Sequence, residues 1–458
     1  MDSSDKEKVN KHQSISQYKT MRITVFYNKP FKSLFIALLL IVFSKSIFAQ
    51  DPFLPYLNGN PPVIVKELGT ETNDSVIIRK VLFHSRDVKI DQDVIASNIF
   101  AAIVRPTKPG KYPGLLVLHG GGGFAEVDKA IKWAAQGYVV VALDEPGIAF
   151  PEKAPLSEGH WKKYPYGQHR FTANPDITAS TVFDGVLSAI QGLYLLRDQA
   201  DVNKAHIGVV GVSWGGYLTT MLTGITGRYI HASFSVFGSG FYDRGSSFLR
   251  ELNAMPDPEK ELWLQYLDAG RRIEKVKTPF FIAAAADDNF FYPPAVMATL
   301  NAMKGPVNHL FAPNANHKIP VPGGSITKST NRPGWLEMEL TWFNYYLKGI
   351  GEPFPKIDKA AQIEPKKDAI NHSSSDKNSL HIRFAVKSSS PITEAKVFFS
   401  AKITDWTKRN WLSVDAVKAD DGSYYAILPP EAGNNIDWFA SVSDSRPVTV
   451  SSMIISGK

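Results

Sequence analysis

The chain has 458 residues, of which 44% are hydrophobic and 21% charged, with a formal net charge of +7. That balance excludes a disordered or fibrous protein and leaves room for two or three domains with a sizeable core. Residues 1–49 hold eight Lys or Arg against three Asp or Glu, and the rest is near neutral, so the charge gives nucleic-acid binding no support. Cysteine is absent, which excludes disulfides, a thiol nucleophile and a lipid-modified cysteine.

In chain order, Lys29 and Lys32 precede an apolar run from Leu34 to Phe43, and Ser44-Lys-Ser-Ile-Phe-Ala49 follows. A basic region, about ten apolar residues and a small residue before the cut describe a secretory signal peptide over 1–49. The run is too short to span a bilayer. The folded part is therefore expected to be secreted or periplasmic, with no stable membrane span after cleavage. An uncleaved N-terminal anchor is the alternative.

Val63–Leu68, Ser75–Phe83 and Ile95–Val104 are rich in β-branched residues and predict three strands before any helix, an antiparallel start to a sheet. From Lys108 the pattern alternates buried strands with helices. Leu115–Leu118 and Val139–Leu143 are continuous apolar runs, with a helix-compatible stretch at Val127–Gln136 between them. Further buried runs lie at Ile207–Val210, Ser233–Phe237, Phe280–Ala286 and Leu310–Phe311. This is the pattern of a parallel sheet covered on both faces. A helix over Trp335–Leu347, capped by Gly349, closes the domain.

The first parallel strand ends in His119-Gly-Gly-Gly-Gly123, where the backbone can approach a ligand and aim N–H groups at developing negative charge. The strand Val139–Leu143 ends in Asp144-Glu145, at the sheet edge where such folds bind ligands. Glu145 is thus a candidate for the pocket, a solvated loop carboxylate being the alternative. The insertion Phe150–Thr178 carries Trp161 and Tyr164, which either stack on sugar rings or pack the insertion onto the body. No metal-ligand spacing and no nucleotide fingerprint occur, so no metal or cofactor is expected. Gly211-Val-Ser213-Trp-Gly215 then follows an apolar run and precedes a helix-compatible one. Strand, sharp turn and helix are the context of a nucleophile elbow, in which the neighbours two residues either side of the serine must be small.

The glycine loop, the Gly-x-Ser-x-Gly turn and the strand order resemble the α/β-hydrolase superfamily over roughly residues 62–350. Within it, Asp201–Gly216 is similar to the dienelactone-hydrolase, acetyl xylan esterase and prolyl-oligopeptidase-like branch. The resemblance implies an α/β fold with an eight-stranded, mostly parallel sheet and catalytic residues in the order serine, acid, histidine. It makes Ser213 the nucleophile and His317, on the loop after the last strand, the base. The acid falls on Asp288, with its neighbour Asp287 as alternative. The oxyanion donors become the N–H of Trp214 and one from the glycine loop, Gly121 or Gly122. His309, in an apolar run, and His119 read as structural.

After Leu347 the composition turns polar and Pro-containing. The domains expected are a hydrolase domain over 50–352, a linker over 353–376 and a small β-sandwich over 377–458. Trp406, Trp411 and Trp438 offer either a carbohydrate-binding face or core packing. Three activities compete. The leading one is a secreted serine carboxylesterase acting on a small-molecule or polysaccharide ester, acetylated carbohydrate being what the resemblance implies. The others are a prolyl-oligopeptidase-like peptidase and a non-catalytic carbohydrate-binding protein on a hydrolase scaffold.

Overall fold

The computed structural model describes residues 50–319, 337–364 and 379–457 apart from Asn434. The expected signal peptide and residues 365–376 of the expected linker lie outside the described residues. Among the described residues no helix is long and apolar enough to cross a membrane.

Among the described residues nine strands form the main sheet: β1 (Ile64–Thr72), β2 (Val76–Ile90), β3 (Asp93–Pro106), β4 (Tyr112–Leu118), β5 (Val139–Leu143), β6 (Val202–Val212), β7 (Ala232–Val236), β8 (Phe280–Ala285) and β9 (Val307–Ala312). Their order is β1-β2-β3-β5-β4-β6-β7-β8-β9, one strand more than the resemblance implies. The first three are antiparallel, and β5 through β9 run parallel. Every residue of β5, β7 and β8 is buried, which is why these strands read as unbroken apolar runs. β2 continues to Ile90, past the expected end at Phe83, because β2 and β3 pair as far as a two-residue turn at Asp91 and Gln92. Asp91 adopts a φ of 54°, as such hairpin turns require. The polar residues of this extension hide the strand from a hydrophobicity pattern.

Seven α-helices lie among the described residues: α1 (Val127–Ala135), α2 (Thr181–Asp198), α3 (Trp214–Thr226), α4 (Leu249–Ala254), α5 (Asp257–Leu267), α6 (Pro293–Ala302) and α7 (Glu337–Lys348). α2 starts at Ser180, whose hydroxyl accepts the Val182 N–H. α1 and α7 meet through Trp133 and Phe343, ring centroids 5.8 Å apart, while α2 packs on α3. α7 ends at Gly349, φ 66°, where the Ile350 N–H reaches back to the Asn344 carbonyl. Gly208 in β6 lets α7 lie close. A Cβ there would stand 2.6 Å from Phe343 and 2.9 Å from Leu347.

The C-terminal strands are β10 (Lys356–Ile363), β11 (His381–Lys387), β12 (Ile392–Ala401), β13 (Leu412–Asp415), β14 (Val417–Lys418), β15 (Tyr424–Ile427), β16 (Ile436–Asp444), β17 (Thr449–Ser451) and β18 (Ile455–Ser456). They form two antiparallel sheets, β10-β11-β15-β14 and β13-β12-β16-β17, with β18 on β16. Phe384, Val397, Tyr424 and Trp438 fill the space of a β-sandwich. Two expectations change here. The supposed linker contains β10, paired with β11 along most of its length, and Phe354 is buried on Phe281 and Trp342. The three tryptophans make no carbohydrate face either. Trp411 and Trp438 are buried, and the Arg409 guanidinium lies 3.3 Å over the Trp406 ring. Short apolar alternation without helical period cannot tell an inward tryptophan from an outward one.

Gly208→Val is expected to destabilise the protein by about 1–3 kcal/mol by overpacking the β6–α7 contact. Urea unfolding reads this as a lower midpoint at unchanged slope.

Candidate active site

Between β6 and α3 the chain turns on one residue. Ser213 has φ 58° and ψ −117°, a conformation that costs a non-glycine residue about 1–3 kcal/mol. The turn closes so tightly that a Cβ on Gly211 would lie 2.2 Å from the Gly215 carbonyl oxygen. One on Gly215 would lie 2.3 Å from the Leu118 oxygen. The Ser213 N–H donates to the Val236 carbonyl at 2.8 Å, tying the turn to β7.

Asp288 follows β8 and is fully buried. One of its oxygens accepts the N–H groups of Phe290 and Phe291 at 2.7 and 2.9 Å, and both oxygens face His317 Nδ1, at 3.1 and 3.0 Å. His317 Nε2 stands 3.0 Å from Ser213 Oγ. Phe237 stacks on the imidazole at 4.2 Å and Phe290 meets it edge-on at 4.8 Å. The structure thus places Ser213, His317 and Asp288 within hydrogen-bond distance of one another in a line. Asp287 does different work: one of its oxygens accepts the N–H groups of Ala315 and Asn316 at 2.8 and 3.0 Å, pinning the loop that carries His317. An imidazole between a hydroxyl and a buried carboxylate can take the hydroxyl proton while its own orientation stays fixed.

Beneath the glycine loop lies a reciprocal pair. The His119 N–H donates to Glu145 Oε1 at 2.9 Å, and the Glu145 N–H donates to His119 Nε2 at 3.1 Å. His119 Nδ1 faces the Gly120 carbonyl at 2.8 Å, so its partners assign a neutral ring protonated at Nδ1. Burial holds His119 down at about 4 and pushes the Glu145 carboxyl well above the usual carboxylate range. Glu145 is wholly buried, so the expectation that it contacts substrate is corrected: it supports the loop from below.

The loop also separates its own candidates. The Gly122 N–H donates to the Ile148 carbonyl at 2.8 Å and is spent there, whereas among the described residues nothing accepts from the Gly121 or Trp214 N–H. Of the two glycines, Gly121 is the available donor. Trp161 is buried in a small cluster with Ala149 and Ala154, and Tyr164 packs on His169 with centroids 4.3 Å apart. Trp161, being buried, packs the insertion and does not meet the sugar-stacking expectation, while Tyr164 is half-buried. Tyr166, two residues beyond, is one insertion residue that reaches the glycine loop, as is Phe150 beside Gly122. The Tyr166 hydroxyl would stand 2.6 Å from a Cβ on Gly121, as would Trp214 Cδ1. No sequence signal distinguishes Tyr166 from Tyr164, since the insertion has no period. A cavity of about 770 Å³ flanks the glycine loop, bordered by Gly122, Phe124, Lys153 and Leu156.

Residues 184–349 match the model of the prolyl oligopeptidase family. An acetyl xylan esterase from Paenibacillus sp. R4 superposes with a TM-score of 0.50 at 18% identity, over 64% of this chain and 92% of that one. An acetyl xylan esterase from Thermoanaerobacterium sp. JW/SL YS485 gives 0.48 at 18%, over 62% and 87%. Porphyromonas gingivalis dipeptidyl peptidase 4 gives 0.41 at 17%, over 59% of this chain and 35% of that one. No curated protein matches the sequence. The superposition shows an α/β-hydrolase fold, and residues 184–349 within it are similar to the prolyl oligopeptidase family.

The His119 environment has a consequence for stability. Its folded value of about 4 lies below the ordinary 6.5, so the unfolded chain binds this proton first and stability is lost as pH falls from about 6.5 through 4. Glu145, raised by burial, acts in the opposite sense and loses its contribution as pH rises. Compared with the unchanged protein, His119→Gln is expected to lower the slope of stability on pH between 6.5 and 4 by up to about one proton. Urea unfolding at stepped pH checks this.

Proposed function

We propose that the protein is a serine carboxylesterase that removes acetyl groups from carbohydrate outside the cytoplasm. The observation that carries the reading is the hydrogen-bonded line from Ser213 through His317 to Asp288, beside two uncommitted N–H groups. Ser213 Oγ attacks the acyl carbon while His317 Nε2 takes its proton, and Asp288 holds the resulting imidazolium. The Gly121 and Trp214 N–H groups receive the charge on the carbonyl oxygen. His317 then protonates the departing alkoxide, and water, deprotonated by the same imidazole, releases acetate from Ser213. The acetyl and carbohydrate assignments draw on the motif resemblance to the acetyl xylan esterase branch and on the signal-like leader.

A peptidase is the second reading, favoured by the family match over residues 184–349. Purified protein offered aryl acetates, acetylated xylan and aminoacyl anilides separates the two. Turnover of both acetates is expected, and cleavage of anilides alone would sink the esterase reading. Ser213→Ala is expected to lower kcat roughly 10⁶-fold. Asp288→Asn should lower it about 10⁴-fold, while Asp287→Asn should act mainly on stability. Gly121→Ala forces the loop away from Trp214 and Tyr166 and should cost about 10²–10³-fold. Steady-state kinetics on an aryl acetate reads all four. Fractionation with N-terminal sequencing tests the location, a mature start at Gln50 being expected.

A further inference from the structure

The C-terminal sandwich reaches the two loops that carry Asp288 and His317, and Trp411 is hydrogen-bonded to both. The Trp411 N–H donates to Asn314 Oδ1 at 2.8 Å, and Asn314 Nδ2 donates to the Trp411 carbonyl at 2.8 Å. The Trp411 indole N–H donates to the Ala286 carbonyl at 3.3 Å. Asn314 lies three residues before His317, and Ala286 two residues before Asp288. Trp411 therefore bridges the loop after β9 and the loop after β8.

The bridge is anchored on its own side. Trp411 is 3% exposed, and its ring meets Phe439 edge-on at 4.9 Å. Phe439 in turn faces Phe311 of β9 at 6.4 Å, and Ser451 Oγ of β17 accepts the Phe311 N–H at 2.8 Å. β9 is the last strand of the main sheet, so its outer side has no ladder partner within that sheet. The loop beyond it contains Asn314 and Asn316 at φ 49° and 53°, a shape with little intrinsic preference behind it. On its inner side Asp287 holds this loop; on its outer side Trp411 does.

We infer that Trp411, acting with Asn314, is a positioning residue that sets the distance between the acid and the imidazole, making the sandwich part of the reaction machinery. The inference rests on the proposed roles of Ser213, His317 and Asp288. A displacement of about 1 Å in such a line can cost roughly 10²-fold in rate. Trp411 acts through His317 and has no part in holding substrate, so its effect belongs in kcat.

The test uses the full chain and two mild variants. Asn314→Gly keeps a left-handed backbone accessible but removes both amide bonds, and Trp411→Phe keeps an aromatic ring on Phe439 but removes the indole N–H. Turnover of an aryl acetate and the rate of Ser213 labelling by a fluorophosphonate are measured, with thermal unfolding as the check on folding. A fall in kcat of about 10–100-fold is expected for Asn314→Gly and a smaller fall for Trp411→Phe, with KM within about twofold and labelling slowed in parallel. Asn314→Asp, which keeps the acceptor for the Trp411 N–H, should recover part of the loss. Variants that turn over and label at the unchanged rate would overturn the inference, as would a loss confined to KM or one that only tracks loss of the folded state. A parent protein that Ser213-directed reagents do not label would sink the underlying reading as well, so the two failures are told apart.

Discussion

A parallel strand that becomes a helix across a single residue leaves no room beside it for side chains, and the rest of the site is arranged around that constraint. Gly211 and Gly215 come so close that a Cβ on either would overlap backbone. Ser213 itself is held in a conformation that most residues avoid. The neighbouring strands supply what makes this tolerable. β7 takes the Ser213 N–H, and the end of β4 lies directly against Gly215. The strained turn is thus over-determined by the sheet, and Ser213 is presented at its C-terminal edge.

The loops around that edge are held by a common device. Buried carboxylates accept backbone N–H groups from segments that lack a ladder or a helix to satisfy them. Asp144 takes Ala125, Glu145 takes His119, Asp268 takes Phe241, Tyr242 and Gly270, and Asp287 takes Ala315 and Asn316. Asp288 takes Phe290 and Phe291 while also facing His317. Each bond satisfies an N–H that would otherwise be costly to bury, and each carboxylate fixes a turn of irregular shape. Neighbouring acids in the chain therefore serve different ends: Asp287 shapes a loop, and Asp288 faces the imidazole.

The sandwich extends the same logic across the fold. Its core is continuous with that of the hydrolase domain through Phe311 and Phe439, and Phe354 joins the packing under β8 and α7. A tethered accessory module would leave the outer side of β9 bare. Here β17 lies against it, and Leu310, Phe311 and Ala312 of the last strand are buried.

By itself the amino-acid sequence determined the strand alternation, the turn at Ser213 and the candidates His317 and Asp288. These features have local causes: apolar runs for strands buried on both faces, glycines where no Cβ fits, and titratable residues just past strand ends. Only the tertiary structure decided which N–H groups stay free, which carboxylates are buried and which aromatic rings face inward. Gly122 is spoken for by Ile148, some 26 residues away, and Glu145 turns under the loop to meet His119. Trp161 and Tyr164 read the same whether they stack on a ligand or on their neighbours. Trp411 finds Asn314 across 97 residues of chain. Such pairings depend on distances that only folding sets, and no local pattern carries them.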